Sequence, residues 1–273
     1  METHIPMDIV IASGESKYRE LDFYIGSKAL EGTAEAISLA TNTILNNDVA
    51  TKVPSIDGIM SSFMLSFEGS FGQAFMLKIV GDEQRARFEA IGESSFFQLL
   101  KYYLSKPMKQ EFKFTTKKAM ILCEELKDHE SSLMKRIYGP LLKMHKPIEG
   151  QGYSVTLRKS GKRLLKYNSE TLENLISENT DAGRVVIDAS ITRFNRLTGT
   201  GRLILEEDSE SVSFEPSFPW KSFPKDQKKK LSKNLDDNNE SDDFSKVKME
   251  ASVIRNYLGE IKRYSIHRVI LDE

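Results

Sequence analysis

Between Ile187 and Phe214 apolar and polar residues alternate in three short runs, and a two-residue period is the pattern of a strand with one face buried. Ile187, Ala189 and Ile191 mark the first run, Leu203 and Leu205 the second, Val212 and Phe214 the third. Thr198-Gly199-Thr200-Gly201 turns the chain between the first two, where glycine admits backbone angles closed to other residues, and the charged run Glu206–Glu210 makes the next turn. The alternation resumes over Val247–Arg255 and Ile261–Ile270, around a turn at Tyr257-Leu258-Gly259-Glu260. Five such segments predict a mainly β domain folded as a small barrel.

At 273 residues the chain is long enough for two domains, each with its own core. No apolar run approaches the roughly 18 residues that would span a bilayer, so no membrane partner is expected. The opening M-E-T-H-I-P-M-D lacks the basic-then-apolar layout of a secretory signal. Cys123 is the only cysteine, which excludes an intrachain disulfide and fits a reducing cytoplasm. A net charge of −1 conceals an asymmetry: residues 101–205 hold 20 Lys+Arg against 11 Asp+Glu. Such a basic middle segment suits an anionic partner, a second domain of opposite charge, or plain solvent.

Asp8–Ala12 reads as a short strand. From Ser27 to Asn46 the residues Leu30, Ala34, Ile37, Thr41 and Ile44 fall on one helical stripe, with Ser27 as the expected cap. Gly32 inside that helix costs about 1 kcal/mol relative to alanine. A hairpin follows, Phe63, Leu65 and Phe67 alternating on one arm and Phe75, Leu77 and Ile79 on the other, joined by Glu68-Gly69-Ser70-Phe71-Gly72. A helix through Phe96, Phe97, Leu100 and Leu104 closes at Pro107. A longer helical stretch from about Thr115 is expected to break at Pro140 and Pro147. Breakers then cluster at Gly150 and Gly152, which sets an expected boundary: an α+β domain over 1–150 and a small-barrel domain over 151–273.

Past that boundary Tyr153–Leu157 and Leu164–Tyr167 read as paired strands. The connection Arg158-Lys159-Ser160-Gly161-Lys162-Arg163 carries four cations able to grip a phosphate backbone. Ser169–Glu178 reads as a short helix. Residues 221–246 run from basic to acidic with almost nothing to bury, which predicts a long loop, mobile near 225–244.

The strand layout resembles the cold-shock family of OB barrels, which carry Trp-Phe-Asn, then Lys-Gly-Phe-Gly-Phe, then Val-Phe-Val-His-Phe. Phe194-Asn195 matches the Phe-Asn pair, Gly199 and Gly201 the two glycines, and Phe214 the last phenylalanine. With Lys246–Val269 as strands four and five, the resemblance spans most of the C-terminal domain. It implies a small OB- or SH3-like barrel and, from the family, binding of single-stranded nucleic acid. The binding face departs from the pattern: Arg193 stands for the tryptophan, Thr200 and Arg202 for two phenylalanines, and Ser211 and Ser213 for a phenylalanine and the histidine. Stacking contributes about 1–3 kcal/mol per base, so the departures remove most of that platform and leave Arg193 and Arg202 as phosphate contacts. The N-terminal half, with its F-E-G-S-F hairpin, resembles bacterial proteins, and no motif there carries a function across.

No catalytic motif is present. His4, His129, His145 and His267 fall in no metal spacing, there is no G-x-S-x-G and no phosphate loop, and no cofactor or metal is expected. Three readings remain. The first is a non-enzymatic binding or adaptor protein that contacts another protein or its own copies. The second is a weakly sequence-specific nucleic-acid binder using Arg158, Lys159, Lys162 and Arg163, joined by Arg193 and Arg202. The third is a metal-dependent enzyme whose carboxylates converge from separate strands.

Overall fold

The computed structural model describes residues 2–13, 20–53, 56–67, 71–239 and 245–271, and these form an α+β protein of two compact units, Met1–Ile176 and Ser177–Glu273. In the first unit β1 (Thr3–Ala12) is followed by α1 (Phe23–Asn46). That helix starts four residues before Ser27, because the Asp22 carboxylate accepts the Ile25 N–H at 2.9 Å and caps it. The hairpin arms are β2 (Ile59–Phe67) and β3 (Phe71–Ile79). Helices α2 (Asp82–Ile91), α3 (Glu93–Ser105), α4 (Lys117–Glu125), α5 (Lys127–Met144) and α6 (Lys146–Gln151) come next. The break expected at Pro140 does not occur: Pro140 is buried inside α5, which runs on to Met144 while packing along α1. Tertiary packing here outweighs the lost backbone hydrogen bond.

The unit is completed by β4 (Ser154–Lys159), β5 (Lys162–Tyr167) and α7 (Ser169–Ile176). Five antiparallel strands lie in the order β2-β3-β1-β4-β5. Ile5, Met7, Ile9 and Ile11 of β1 bury one face with Leu77, Ile79, Val155 and Leu157. Because β4 pairs with β1, from Met7↔Lys159 to Ala12↔Ser154, the hairpin assigned from sequence to the C-terminal domain belongs to the first sheet. The units therefore divide after Ile176, not near residue 150. Glycines at 150 and 152 end a helix without ending the fold.

His145 sits between α5 and α6 with no exposed surface. Its Nδ1 lies 2.7 Å from the Leu141 carbonyl, which can only accept, so the neutral ring carries its proton there; Nε2 then accepts from the Thr171 hydroxyl at 2.9 Å. Burial lowers its pKa below the ordinary 6.5. The unfolded chain therefore takes up this proton at a higher pH than the native one. The contribution of His145 is present in full above about pH 6.5 and is lost as pH falls through the lowered native value. Urea midpoints measured from pH 8 to 5 should fall over the acid half of that range, and His145→Gln should remove that part of the slope.

The second unit begins with β6 (Asn179–Thr180) and β7 (Val185–Phe194), then β8 (Gly201–Ile204), β9 (Val212–Pro216), α8 (Lys225–Asp237), β10 (Val247–Arg255) and β11 (Ile261–Val269). β7, β8 and β9 form an antiparallel meander, β9 pairs in parallel with β11, and β10 joins β11 back to β7. The result is a closed five-stranded mixed barrel, consistent with an OB- or SH3-like small barrel, and β6 extends beside β10. Ile187, Ala189, Ile191, Leu203 and Phe214 all point inward, as their alternation predicts.

The region read as a long loop is different. Lys225–Asp237 is α8, which buries Leu231 and Asn234 and contributes Leu231 to the barrel core. Its apolar content is too small to signal a helix, because one of its two buried residues is an asparagine. Residues 240–244 of the expected mobile segment lie outside the described residues.

Candidate interaction surfaces

Among the described residues β2 is an outer strand of the first sheet, with no strand beside its outward backbone N–H and C=O groups. Its sequence I-M-S-S-F-M-L-S-F contains no charged residue. Phe63 and Leu65 are each 71% exposed, Met60 56% and Met64 52%. Alternation predicts Phe63 and Leu65 on one face of this arm, but the register shifts between Phe63 and Ser66. Phe63 pairs with Phe75 and Ser66 with Gln73, so Met64 and Leu65 together oppose Ala74 in a bulge. Ser66 and Gln73 are hydrogen-bonded at 2.8 Å. This keeps Ser66 on the helix-bearing side and turns the bulged pair to the open side. Beside Phe63, a small apolar pocket of about 80 Å³ is lined by Ser61 and by Leu30, Thr33, Ala34 and Ile37 of α1. The acidic residues of that helix face elsewhere: Glu31 and Glu35 both accept from Lys143 of α5, at 2.6 and 2.8 Å.

The opposite edge of the sheet has the reverse character. β5 reads K-R-L-L-K-Y, three cations in six residues, with Lys162, Arg163 and Lys166 exposed. Lysine on an outer strand is a device that prevents pairing with another chain. The hairpin cations nominated from sequence thus divide. Arg158 is ion-paired with Asp8, its register partner on β1, and Lys159 with Glu93 while lying 4.6 Å above the Phe97 ring. Lys162 and Arg163 remain at the exposed edge, opposite Lys159 and Arg158. Four cations on one turn are in structural terms two ion-paired residues and two edge guards.

Arg193 and Arg202 belong to the other unit, where they face each other across β7 and β8 on the outside of the barrel. Ser213 on β9 and Arg263 on β11 continue the row. Arg202 donates to the Ser211 hydroxyl at 2.8 Å, and Arg263 is bound to Glu178 at 2.6 Å and Glu215 at 2.8 Å. The Arg263 and Lys262 cations hold the Glu178 carboxyl down at about 2. Arg193 is exposed. Phe194, Phe214 and Trp220 pack with the barrel core. Phe214 is in the core, and Phe194 stacks on it at 6.3 Å and meets the Trp220 edge at 5.8 Å. The Trp220 ring covers Gly199, whose φ of +76° and missing side chain make that contact possible.

Among the described residues no three His, Cys, Asp or Glu side chains converge as metal ligands, and no helix is long and apolar enough to cross a membrane. Cys123 is half-buried, and burial beside the Glu130 charge pushes its thiol pKa up, away from reactivity. Sequence reasoning missed the β2 edge because edge position depends on which strands pair across the whole unit. Only the absence of charge over nine residues hinted at it. No protein-family model, no curated protein and no solved structure matches this chain.

Proposed function

We propose that this is a non-enzymatic binding protein that works through protein–protein contacts, with the β2 edge as its contact surface. The observation that carries the reading is the contrast between the two edges of one sheet. β5 is guarded by three cations, whereas β2 leaves four large apolar side chains more than half exposed and carries no charge. An unguarded strand of this kind binds by strand addition: backbone hydrogen bonds supply affinity, and alternate side chains supply specificity. A cytoplasmic setting is part of the reading, in keeping with a single free thiol.

The second reading, weakly sequence-specific nucleic-acid binding by the barrel, is supported by Arg193 and Arg202 standing opposite one another. Like charges in that position repel, and a phosphate between them would relieve the repulsion. A cold-shock relationship would add to it, but the inward turn of Phe194 and Phe214 leaves guanidinium groups as its contacts.

One experiment tests both readings: a pull-down from native cells with wild-type and Phe63→Lys baits, each with and without nuclease. Partners retained by the wild type and reduced at least about tenfold by Phe63→Lys support the edge reading. Identical capture by both baits would sink it. Partners lost only on nuclease treatment would favour the barrel.

A further inference from the structure

We propose that the β2 edge pairs with the β2 edge of a second copy of this chain, joining two five-stranded sheets into one antiparallel sheet across a two-fold axis. This rests on the reading of β2 as a contact edge and names its occupant. Three observations select a second copy.

The first is charge. Ile59–Phe67 carries none, and the adjoining α1 positions Leu30, Ala34 and Ile37 carry none either. Antiparallel self-pairing therefore opposes no like charges, and the strand offers nothing to select a charged partner.

The second is shape. A two-fold axis perpendicular to the sheet keeps both helix layers on the same side, so a residue can face only residues of its own side. Centred on Phe63, and with the bulged pair counted as one position, Ser62 of one copy faces Met64 and Leu65 of the other. Ser61 then faces Ser66, and Phe63 faces Phe63. Small residues receive the bulge, and the two Phe63 rings meet over the apolar pockets lined by Ser61 and α1.

The third is closure. Joining two β2 edges leaves the two β5 edges outermost, each with Lys162, Arg163 and Lys166, so assembly stops at two copies. A nine-residue strand is about 30 Å long, and a helix layer about 10 Å above it widens the edge to on the order of 600 Å² per copy. That lies below the roughly 800 Å² of a standard interface, so the dimer should depend on concentration.

Sedimentation equilibrium of the full chain tests the proposal. The wild-type mass should rise from 31.0 kDa toward twice that value with concentration. Phe63→Lys, which sets two cations face to face, should weaken association at least about tenfold. If Phe63→Lys loses its far-UV circular dichroism, Leu65→Lys takes its place. In a Cys123→Ser background, Phe63→Cys should form an interchain disulfide on mild oxidation, since directly opposed Cβ atoms lie about 4.5–5.5 Å apart; Lys162→Cys should not. A wild type that stays at 31.0 kDa up to about 200 µM, far above a micromolar Kd, overturns the self-pairing. So does a dimer indifferent to both lysine variants, or one in which Phe63→Cys fails to cross-link. If the chain is monomeric yet Phe63→Lys still abolishes capture in the pull-down, the protein-contact reading stands with a different occupant. If neither measurement responds to Phe63→Lys, both fall.

Discussion

Gly32→Ala is expected to destabilise the first unit by about 2–4 kcal/mol, although alanine is the better helix former by about 1 kcal/mol. A Cβ at position 32 would sit 2.3 Å from the Pro140 carbonyl oxygen, 2.7 Å from the Lys143 Cβ and 2.9 Å from the Met144 backbone N–H nitrogen. Two of these three atoms are backbone and cannot swing aside. α1 and α5 would have to separate where they cross, opening the contact that buries Ala29, Ala36, Met144 and Leu141. The same substitution at Gly139 is the control. It lies in α5 with nothing within 4 Å of a new Cβ, so Gly139→Ala should stabilise by up to about 1 kcal/mol. Opposite signs from one chemical change would separate helix propensity from helix contact. Urea unfolding followed by circular dichroism reads both, and equal effects would refute the account.

In the barrel the largest expected effect comes from a side chain on the helix that the sequence hid. The Asn234 carbonyl on α8 accepts the Ile191 N–H at 2.8 Å, and its amide donates to the Ser245 carbonyl and hydroxyl at 2.9 and 3.0 Å. The β7–β10 ladder ends at Ala189↔Val247, two residues short of Ile191, and the Ile191 N–H finds its partner in this side chain instead. Asn234→Leu keeps the volume and removes the acceptor, leaving a buried N–H unpaired. A cost of about 2–4 kcal/mol is expected, from that orphaned group and the lost bonds to Ser245. Asn234→Asp keeps the acceptor and loses the donor, so its cost should be smaller. Trp220 is the only tryptophan and packs against the barrel core, so its fluorescence reports this unit alone. Unchanged Trp220 unfolding in Asn234→Leu would mean that solvent satisfies Ile191.

Period-two alternation predicted the barrel strands well because a closed barrel makes every strand two-sided: Ile187, Ala189 and Ile191 go in, and Asp188 goes out. The same logic misread β2. Phe63 and Leu65 alternate on paper, but a bulge sets them on different sides of the sheet, both exposed. α8 escaped notice for a different reason: its inward face is held by a polar amide, and hydrophobic periodicity does not register hydrogen bonds. The division between units was misplaced because the pairing of β4 with β1 joins residues about 150 apart, and local breakers carry no information about such a contact. Of the nominated basic residues, Arg193 and Arg202 do lie side by side, as strand alternation allows. The partners of Arg158 and Lys159 come from Asp8 and Glu93, far away in the chain.

The position of β1 has a consequence during synthesis. Thr3–Ala12 leaves the ribosome before both of its neighbours, yet it is the middle strand of its sheet, flanked by β3 and β4. One side can be covered once Ile79 has emerged; the other waits for Ser154–Lys159. At about 5–20 residues per second, the interval between β1 and β4 lasts about 8–30 s. For that time the nascent chain holds an apolar strand, with Ile5, Met7, Ile9 and Ile11 destined for the core, that its own sequence cannot yet complete. Translation speed between residues 12 and 159 therefore sets how long this strand waits for its second neighbour.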